Sequence, residues 1–353
     1  MLAAPAAPTG NQSLDQKRSR QVINGIVKIA ILFLTYLTLT SAATAQHNAI
    51  TLGYSGGTGL TTDLRRVIEK ERVWEKYGLS VKAIYFNSGS LMAQAMAGGS
   101  ITAADSDLPA MLNLTVSGMS DMKTIAVTIN RLEHIFVSRK NITKPEELKG
   151  KRLAVSRLGS ASDFVTRMVL RTWKVDPEKE VTLLQAGNTP TRMTALAAGH
   201  VDAALIGPDN LHKVLATGCC RVLADLSELP LDYARFGVVI PTAMIKNQRE
   251  VVRRMLMSYV EGIYLFKTRP KLVYAVMEEA GIKDPTVQKD LYDRVSKSMR
   301  EFPVPEPNGI QSAMDSLSHP NAKTLKPAAL MDTTILEEIK KSGFIDKLYG
   351  RAS

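Results

Sequence analysis

At 353 residues, with 45% hydrophobic and 22% charged residues, the chain is long enough for two domains and too apolar to be disordered. A formal net charge of +11 raises nucleic acid or an anionic membrane as partners. The basic residues, however, are spread along stretches such as 64–76 and 249–267 among Glu and Asp, and no Arg/Lys run alternates with aromatics, so no nucleic-acid binding is expected. Cys219 and Cys220 are adjacent, and His47, His134, His200, His212 and His319 are far apart, with no C-x-x-C and no H-E-x-x-H, so neither a metal nor a cofactor is expected. A bridge between neighbouring cysteines departs from relaxed disulfide geometry, so the pair is expected as two thiols.

The N-terminus reads as a secretory leader. Lys17, Arg18 and Arg20 precede an apolar run, IAILFLTYLTL over residues 29–39, which gives way to Ser41-Ala42-Ala43-Thr44-Ala45-Gln46. A basic n-region, a short apolar h-region and an A-x-A site predict cleavage after Ala45. An uncleaved anchor needs about 20 predominantly apolar residues, and Asn24 and Lys28 interrupt the run too early. No Cys follows the run to take a lipid, and the long stretch before it points to a start codon downstream of Met1.

Beyond the leader, strand and helix signals alternate. ITLGYS (50–55) is a strand, followed by Gly56-Gly57-Thr58-Gly59 and an amphipathic stretch to about Lys76; VKAIYF (81–86) is a strand, followed by Ser88-Gly89-Ser90 and a helix. Strands at 101–104 and 124–129 bracket a helix over 108–119. The order then restarts, with strands at 152–156, 181–185 and 201–206 and helices at 160–173, 190–198 and 211–216. This spacing predicts βαβ units. The two passes also echo in sequence: AMAGGSITAA at 95–104 matches ALAAGHVDAA at 195–204, a small-residue helix, a Gly stop and a strand. HIFVS (134–138) and FGVVI (236–240) are extended connectors flanking the second pass, and Thr143-Lys144-Pro145-Glu146-Glu147 is a helix start with a capping Thr. From Lys246 to Met299 the chain is mostly helical. A chain that leaves one domain, builds a second and returns describes a hinged clamp.

The stretch ITKPEELKGKRLAV (142–155), with Gly159-Ser160 and the segment 195–204, resembles the second-lobe start of type II periplasmic solute-binding proteins of ABC importers. Within them it is similar to the nitrate/sulfonate/taurine branch, which also includes binders of thiamine-pyrimidine precursors. The resemblance covers residues 49–349. It implies an α/β fold of two lobes, each a five-stranded mixed sheet, joined by a two-strand hinge, with the solute held at the strand carboxyl ends. The expected division is a signal peptide at 1–45, lobe 1 at 46–132 and 238–353, and lobe 2 at 133–237. The implied partners are a small-molecule solute and an ABC permease of the inner membrane, for a periplasmic monomer.

The strand-end loops then supply the candidate ligand-binding residues: Ser55, Gly56, Thr58, Ser88, Ser90, Asp105, Ser106 and Arg131 from the first pass, and Arg157, Gly159, Ser160, Ser162, Asn188, Thr189 and Asp209 from the second. Several of these loops lead into a helix N-terminus, where free N–H groups and the dipole favour an anionic or polar group. Gly56, Gly57, Gly59, Gly89 and Gly159 allow close approach to the backbone, and the hydroxyls serve equally as ordinary N-caps. Arg131, Arg157 and Arg192 suit a carboxylate or sulfonate, whereas Asp105, Asp107 and Asp209 repel it or hold an amine. Tyr54, Tyr85 and Phe86 are stacking candidates, with Trp74 and Trp173 assigned to the core.

Three rivals remain on the sequence. Gly53-Tyr54-Ser55-Gly56-Gly57 fits the G-x-S-x-G elbow of a hydrolase, but on the first strand and with only His319 to complete a triad. A thiamine-pyrimidine synthase on the same fold would carry a cysteine-rich motif, and here there is only Cys219-Cys220. A sensory clamp presenting solute to a membrane receptor shares every feature above.

Overall fold

In the computed structural model, which describes residues 48–55 and 60–351, the alternating signals resolve into two mixed sheets with flanking helices. The leader and Gly56, Gly57, Thr58 and Gly59 lie outside the described residues. The chain runs β1 (Ala49–Ser55), α1 (Leu60–Lys70), α2 (Val73–Lys76), β2 (Ser80–Phe86), α3 (Gly89–Ala97), β3 (Ala103–Asp107), α4 (Leu108–Val116) and β4 (Met122–Ile129). It continues through β5 (Ile135–Arg139), β6 (Arg152–Val155), α5 (Ala161–Thr172), β7 (Thr182–Gln185), α6 (Thr189–Ala197), β8 (Ala203–Ile206), α7 (Leu211–Ala216) and β9 (Cys220–Asp225). It closes with β10 (Phe236–Pro241), α8 (Thr242–Asn247), α9 (Arg249–Thr268), α10 (Pro270–Glu279), α11 (Pro285–Ser298), α12 (Pro307–Asp315), α13 (Thr334–Lys341) and α14 (Phe344–Leu348).

The first sheet has the order β2-β1-β3-β10-β4 and the second β7-β6-β8-β5-β9. Each contains parallel pairs, β1 with β3 and β6 with both β7 and β8. Each also takes in one strand antiparallel to its neighbours: β10 between β3 and β4, and β5 between β8 and β9. The two sheets are therefore one pattern built twice, with the fourth place filled in each by a strand arriving from across a connector. The connectors are residues 130–134 and 226–235.

The sequence echo is structural as well. Gly99 and Gly199 close α3 and α6 at φ 71° and 76°, where a side chain would be strained. In both, the amide three residues before the strand bonds back alike, Ser100 N to Ala95 O and His200 N to Ala195 O, each at 2.9 Å. Ser88, Ser160 and Asn188 cap the helices α3, α5 and α6 at 3.3, 3.4 and 3.2 Å.

The core follows from pattern. Helix α9 buries Val252, Leu256, Tyr259, Val260, Ile263 and Phe266 along one stripe. That stripe packs with Ile50 and Leu52 of β1, Val67 and Ile68 of α1, and Ile335 and Ile339 of α13. Gly262 is required there because a Cβ would run into Ile68. Gly237 is required in β10, where a Cβ would meet the backbone carbonyl of Ala126 on the neighbouring strand. The Pro-rich loop after α11 lies along β4, Pro303 O accepting from Val127 N at 2.8 Å. No helix among the described residues is long and apolar enough to cross a membrane.

Four sequence expectations differ. Cys219 and Cys220 are joined in a disulfide rather than left as thiols. Cys219 lies in the bend before β9, outside the strand alternation that would send adjacent side chains to opposite faces. Strand β9 was not expected from its sequence, CRVLAD. The amphipathic run to Lys76 breaks at Arg72, which takes a left-handed φ of 53°. At 143–148 the chain forms a single 3-10 turn capped at Lys144, with the Glu147 carboxylate accepting from Thr143 N at 2.6 Å.

Candidate functional site

At the carboxyl ends of the first sheet, Ser55 and Ser106 share a hydrogen bond of 2.8 Å, both buried. Gly89 opens α3 beside them; a Cβ there would stand 3.9 Å from Ser106 Oγ and tightly against Ala110. Ser88 and Ser90 are 3.3 Å apart at the same helix start. These hydroxyls and the N-terminus of α3 make one polar floor.

Asp105 is adjacent to Ser106 in β3 and so faces the other way. Its Oδ2 accepts from Tyr259 OH at 2.8 Å, and its Oδ1 is buried with no hydrogen-bond partner among the described residues. Burial pushes its pKa up to about 7, against the opposing pull of the Tyr259 hydrogen bond and the Arg65 charge. Arg65 in turn lies over the Tyr54 ring at 4.1 Å, and Tyr54 packs against Tyr85 at 5.6 Å. The alternation in β3 thus separates Asp105, held by α9, from the hydroxyl floor. Asp107, ahead of α4, pairs with Arg235 Nε at 3.2 Å. Burial raises its pKa, opposed by Arg235 and by Arg192.

In the second sheet the loop after β6 gathers three serines. Ser156 Oγ lies 2.8 Å from Ser160 Oγ and 3.0 Å from Ser162 Oγ, and the last two are 3.0 Å apart. Ser162 Oγ also accepts from Ser156 N at 2.8 Å. Gly159, at φ 74°, turns the loop so that its N–H reaches Asp163 Oδ2 at 2.9 Å. Ser156 was one residue outside the sequence-derived set, because the β6 strand ends a residue earlier than its apolar pattern suggested.

Arg192 on α6 is buried and donates to Gly187 O at 2.8 Å, Thr189 Oγ1 at 3.1 Å and Leu205 O at 3.1 Å. It therefore ties the loop after β7 to the end of β8. Its Nε–H is buried with no hydrogen-bond partner among the described residues. Desolvation lowers its pKa to about 10, opposed by the charge of Asp107 and by Tyr85. Asp107 and Tyr85 belong to strand ends of the first sheet, so Arg192 stands within electrostatic reach of the opposite set of loops. Helix α4 of the first sheet also packs against α5 of the second, through one continuous apolar cluster that includes Leu112 and Phe164.

The remaining candidates divide. Asn188 and Thr189 sit at the α6 start, their oxygens accepting from Thr191 N and from Arg192. Arg157 is exposed beside the serine cluster. Asp209 is buried over Gly207 and bonds the Asn210 amide. Arg131 is placed by the connectors instead, donating to Ser227 O at 2.8 Å. Gly56 and Thr58 lie outside the described residues. Sequence reasoning gave no role to Arg65, Tyr259, Glu133 or Arg235, because each acts through a partner more than a hundred residues away or on another element.

The arrangement offers hydroxyls, helix-start amides, one buried guanidinium and two tyrosines: the means to bind a polar solute. Ser55 is bonded to a second hydroxyl and His319 Nδ1 accepts from Asn321 N at 3.2 Å, so neither member of the hydrolase pair engages the other. No group of His, Cys, Asp or Glu among the described residues is arranged to hold a metal.

Two five-stranded mixed sheets of this order, with flanking helices, make up the periplasmic-binding-protein fold. Solved structures agree: a protein from Bordetella bronchiseptica RB50 aligns with a TM-score of 0.75 at 17% identity, covering 86% of this chain and 98% of that one. The alkanesulfonate-binding protein SsuA from Xanthomonas axonopodis pv. citri, bound to MOPS, aligns with a TM-score of 0.65 at 17% identity, covering 80% and 96%. A protein of Brachyspira hyodysenteriae, provisionally named an ABC transporter periplasmic binding protein, is 23% identical over 271 residues, 72% of this chain and 77% of its own. Residues 73–272 match the family described as NMT1/THI5 like, and the chain belongs to that family.

Proposed function

We propose that this chain is the exported solute-binding component of an ABC-type importer, holding a small polar or anionic organic solute between two lobes. The lobes are residues 46–132 with 238–353, and 133–237; residues 1–45 are the leader, removed before Gln46. The observation that carries this reading is Arg192: on the second sheet, buried, and within electrostatic reach of Asp107 and Tyr85 at the strand ends of the first. Loops that face one another in this way enclose a solute when the connectors bend, and the solute selects the closed state by touching both. The name of the sulfonate-binding structural neighbour and the periplasmic name of the Brachyspira relative support the same reading. The ligand set is Ser55, Gly56, Thr58, Ser88, Ser90 and Ser106 from lobe 1, with Arg157, Gly159, Ser160, Ser162, Asn188, Thr189 and Asp209 from lobe 2. Asp105 acts behind this set, through Tyr259. No step of this function calls for catalysis, a metal or a cofactor, and the partner is a permease in the inner membrane.

The test is a thermal-shift screen of the exported chain against sulfonates, carboxylates, amines and pyrimidines. A cognate solute at a hundred times its Kd stabilises by about 2.7 kcal/mol, raising Tm by roughly 4 °C in a chain of this length. Ser160→Ala with Ser162→Ala is expected to reduce that shift. If no small solute moves Tm and a macromolecule does, the reading is wrong.

A further inference from the structure

A cavity of about 410 Å³ lies between the two connectors and the end of α11, and its lining includes none of the strand-end hydroxyls. Asn130 and Arg131 come from the connector leaving β4, residues 229–232 from the connector entering β10, and Lys297, Ser298 and Arg300 from the α11 terminus. Its volume falls within the range of small-molecule pockets, about 300–1,000 Å³.

The charges converging on it are unequal. Arg131, Lys297 and Arg300 face one carboxylate, Asp232. Arg300 is ion-paired with Glu306. Arg131 commits one N–H to Ser227 O at 2.8 Å and forms no ion pair with a described residue, although its charge also acts on the buried Glu133. Lys297 is exposed and forms no ion pair with a described residue. Glu133, bonded to Ser298 behind the wall, is compensated by Arg235 at 3.7 Å.

Leu229 and Leu231, each 37% exposed, give the cavity an apolar wall that an inorganic ion would leave uncovered.

We propose that this cavity is a second binding site, for a small organic anion bearing one or more carboxylates. The carboxylates pair with Arg131 and Lys297, while the carbon skeleton lies on Leu229 and Leu231. Such an anion bridges both connectors and α11, the elements about which the lobes would move.

Citrate is the probe, titrated calorimetrically into the exported chain at low ionic strength. The wild type is expected to bind it saturably. The double variant Arg131→Gln/Lys297→Gln, both positions exposed, is expected to bind at least about tenfold more weakly with unchanged Tm. Should the double variant unfold, Lys297→Gln alone carries the comparison. Ser160→Ala/Ser162→Ala, in the solute cleft, is expected to retain citrate binding. The proposal is overturned if the wild type shows no saturable binding, if the double variant binds as tightly as the wild type, or if only the cleft variant loses it. Each of these outcomes leaves the solute-binding reading standing on its own screen.

Discussion

Replacing Arg192 with methionine is expected to destabilise the protein by about 3–5 kcal/mol, the range for removing one partner from a buried charged network. The side chain is 6% exposed and supplies donors to Gly187 O, Thr189 Oγ1 and Leu205 O. Methionine fills a similar volume but withdraws the donor from the buried Leu205 carbonyl, a desolvation cost of about 1–3 kcal/mol, and from the half-buried Gly187 carbonyl. The loss also removes the one positive charge that opposes burial of Asp107 from the second sheet. Lysine is not a substitute: a single ammonium cannot span three acceptors that a planar guanidinium reaches from fixed directions. Equilibrium urea unfolding should place Arg192→Met lowest, Arg192→Lys between it and the wild type, and the wild type highest. A Tm drop of roughly 5–8 °C for methionine matches that loss in a chain of this length. Equal stability of all three would show that the loops after β7 and β8 do not depend on this residue.

The second large effect is a dependence of stability on pH, and it comes from Asp105. Its carboxyl is raised to about 7 by burial, while an unfolded aspartate titrates near 3.8. A group whose folded pKa is raised contributes stability that is fully present below the unfolded value and is lost as pH rises through the folded value. Stability from this residue is therefore expected to fall between about pH 4 and pH 7. The displacement sets an upper bound of about 4 kcal/mol on that fall. Asp105→Asn removes the titration and keeps an oxygen to accept from Tyr259 OH, at 2.8 Å in the native pair. Unfolding free energies measured at pH 5 and pH 8 should differ less in Asp105→Asn than in the wild type, with the variant the more stable at pH 8. A variant less stable than the wild type at pH 8 would mean that the charged form of Asp105 is the favoured one, held by Arg65.

Much of this architecture is legible in the chain. The βα alternation follows from apolar strand signals separated by amphipathic stretches, and the Gly stops at 99 and 199 mark the same turn in both sheets. What escaped reading has physical reasons. β9 follows a buried Cys220 with exposed Arg221 and then half-exposed residues ending in Asp225, as suits an edge strand, so no apolar run announces it. The apolar signal for β3 begins at Ile101, which is buried but precedes the ladder beginning at Ala103. Within the candidate site, hydroxyls at helix starts were visible because capping and solute binding call for the same residues at the same places. The separation of Asp105 from Ser106 was visible only in part. Strand alternation sends them to opposite faces, but which face meets α9 depends on a helix more than a hundred residues later. Arg131 illustrates the same limit: a charge beside a strand end belongs to the connector, and sequence gives no distance between connector and cleft.

The central claim, that a solute is held by both sets of strand-end loops at once, is tested most directly by hydrogen–deuterium exchange. The exported chain would be followed with and without the solute that gives the largest thermal shift. Slower exchange is expected together in the loops after β2 and β3 of the first sheet and in those after β6 and β7 of the second, around residues 87–90, 105–109, 157–162 and 187–191. Protection confined to the loops of one sheet, or to the connectors at 130–134 and 226–235 alone, would contradict the account.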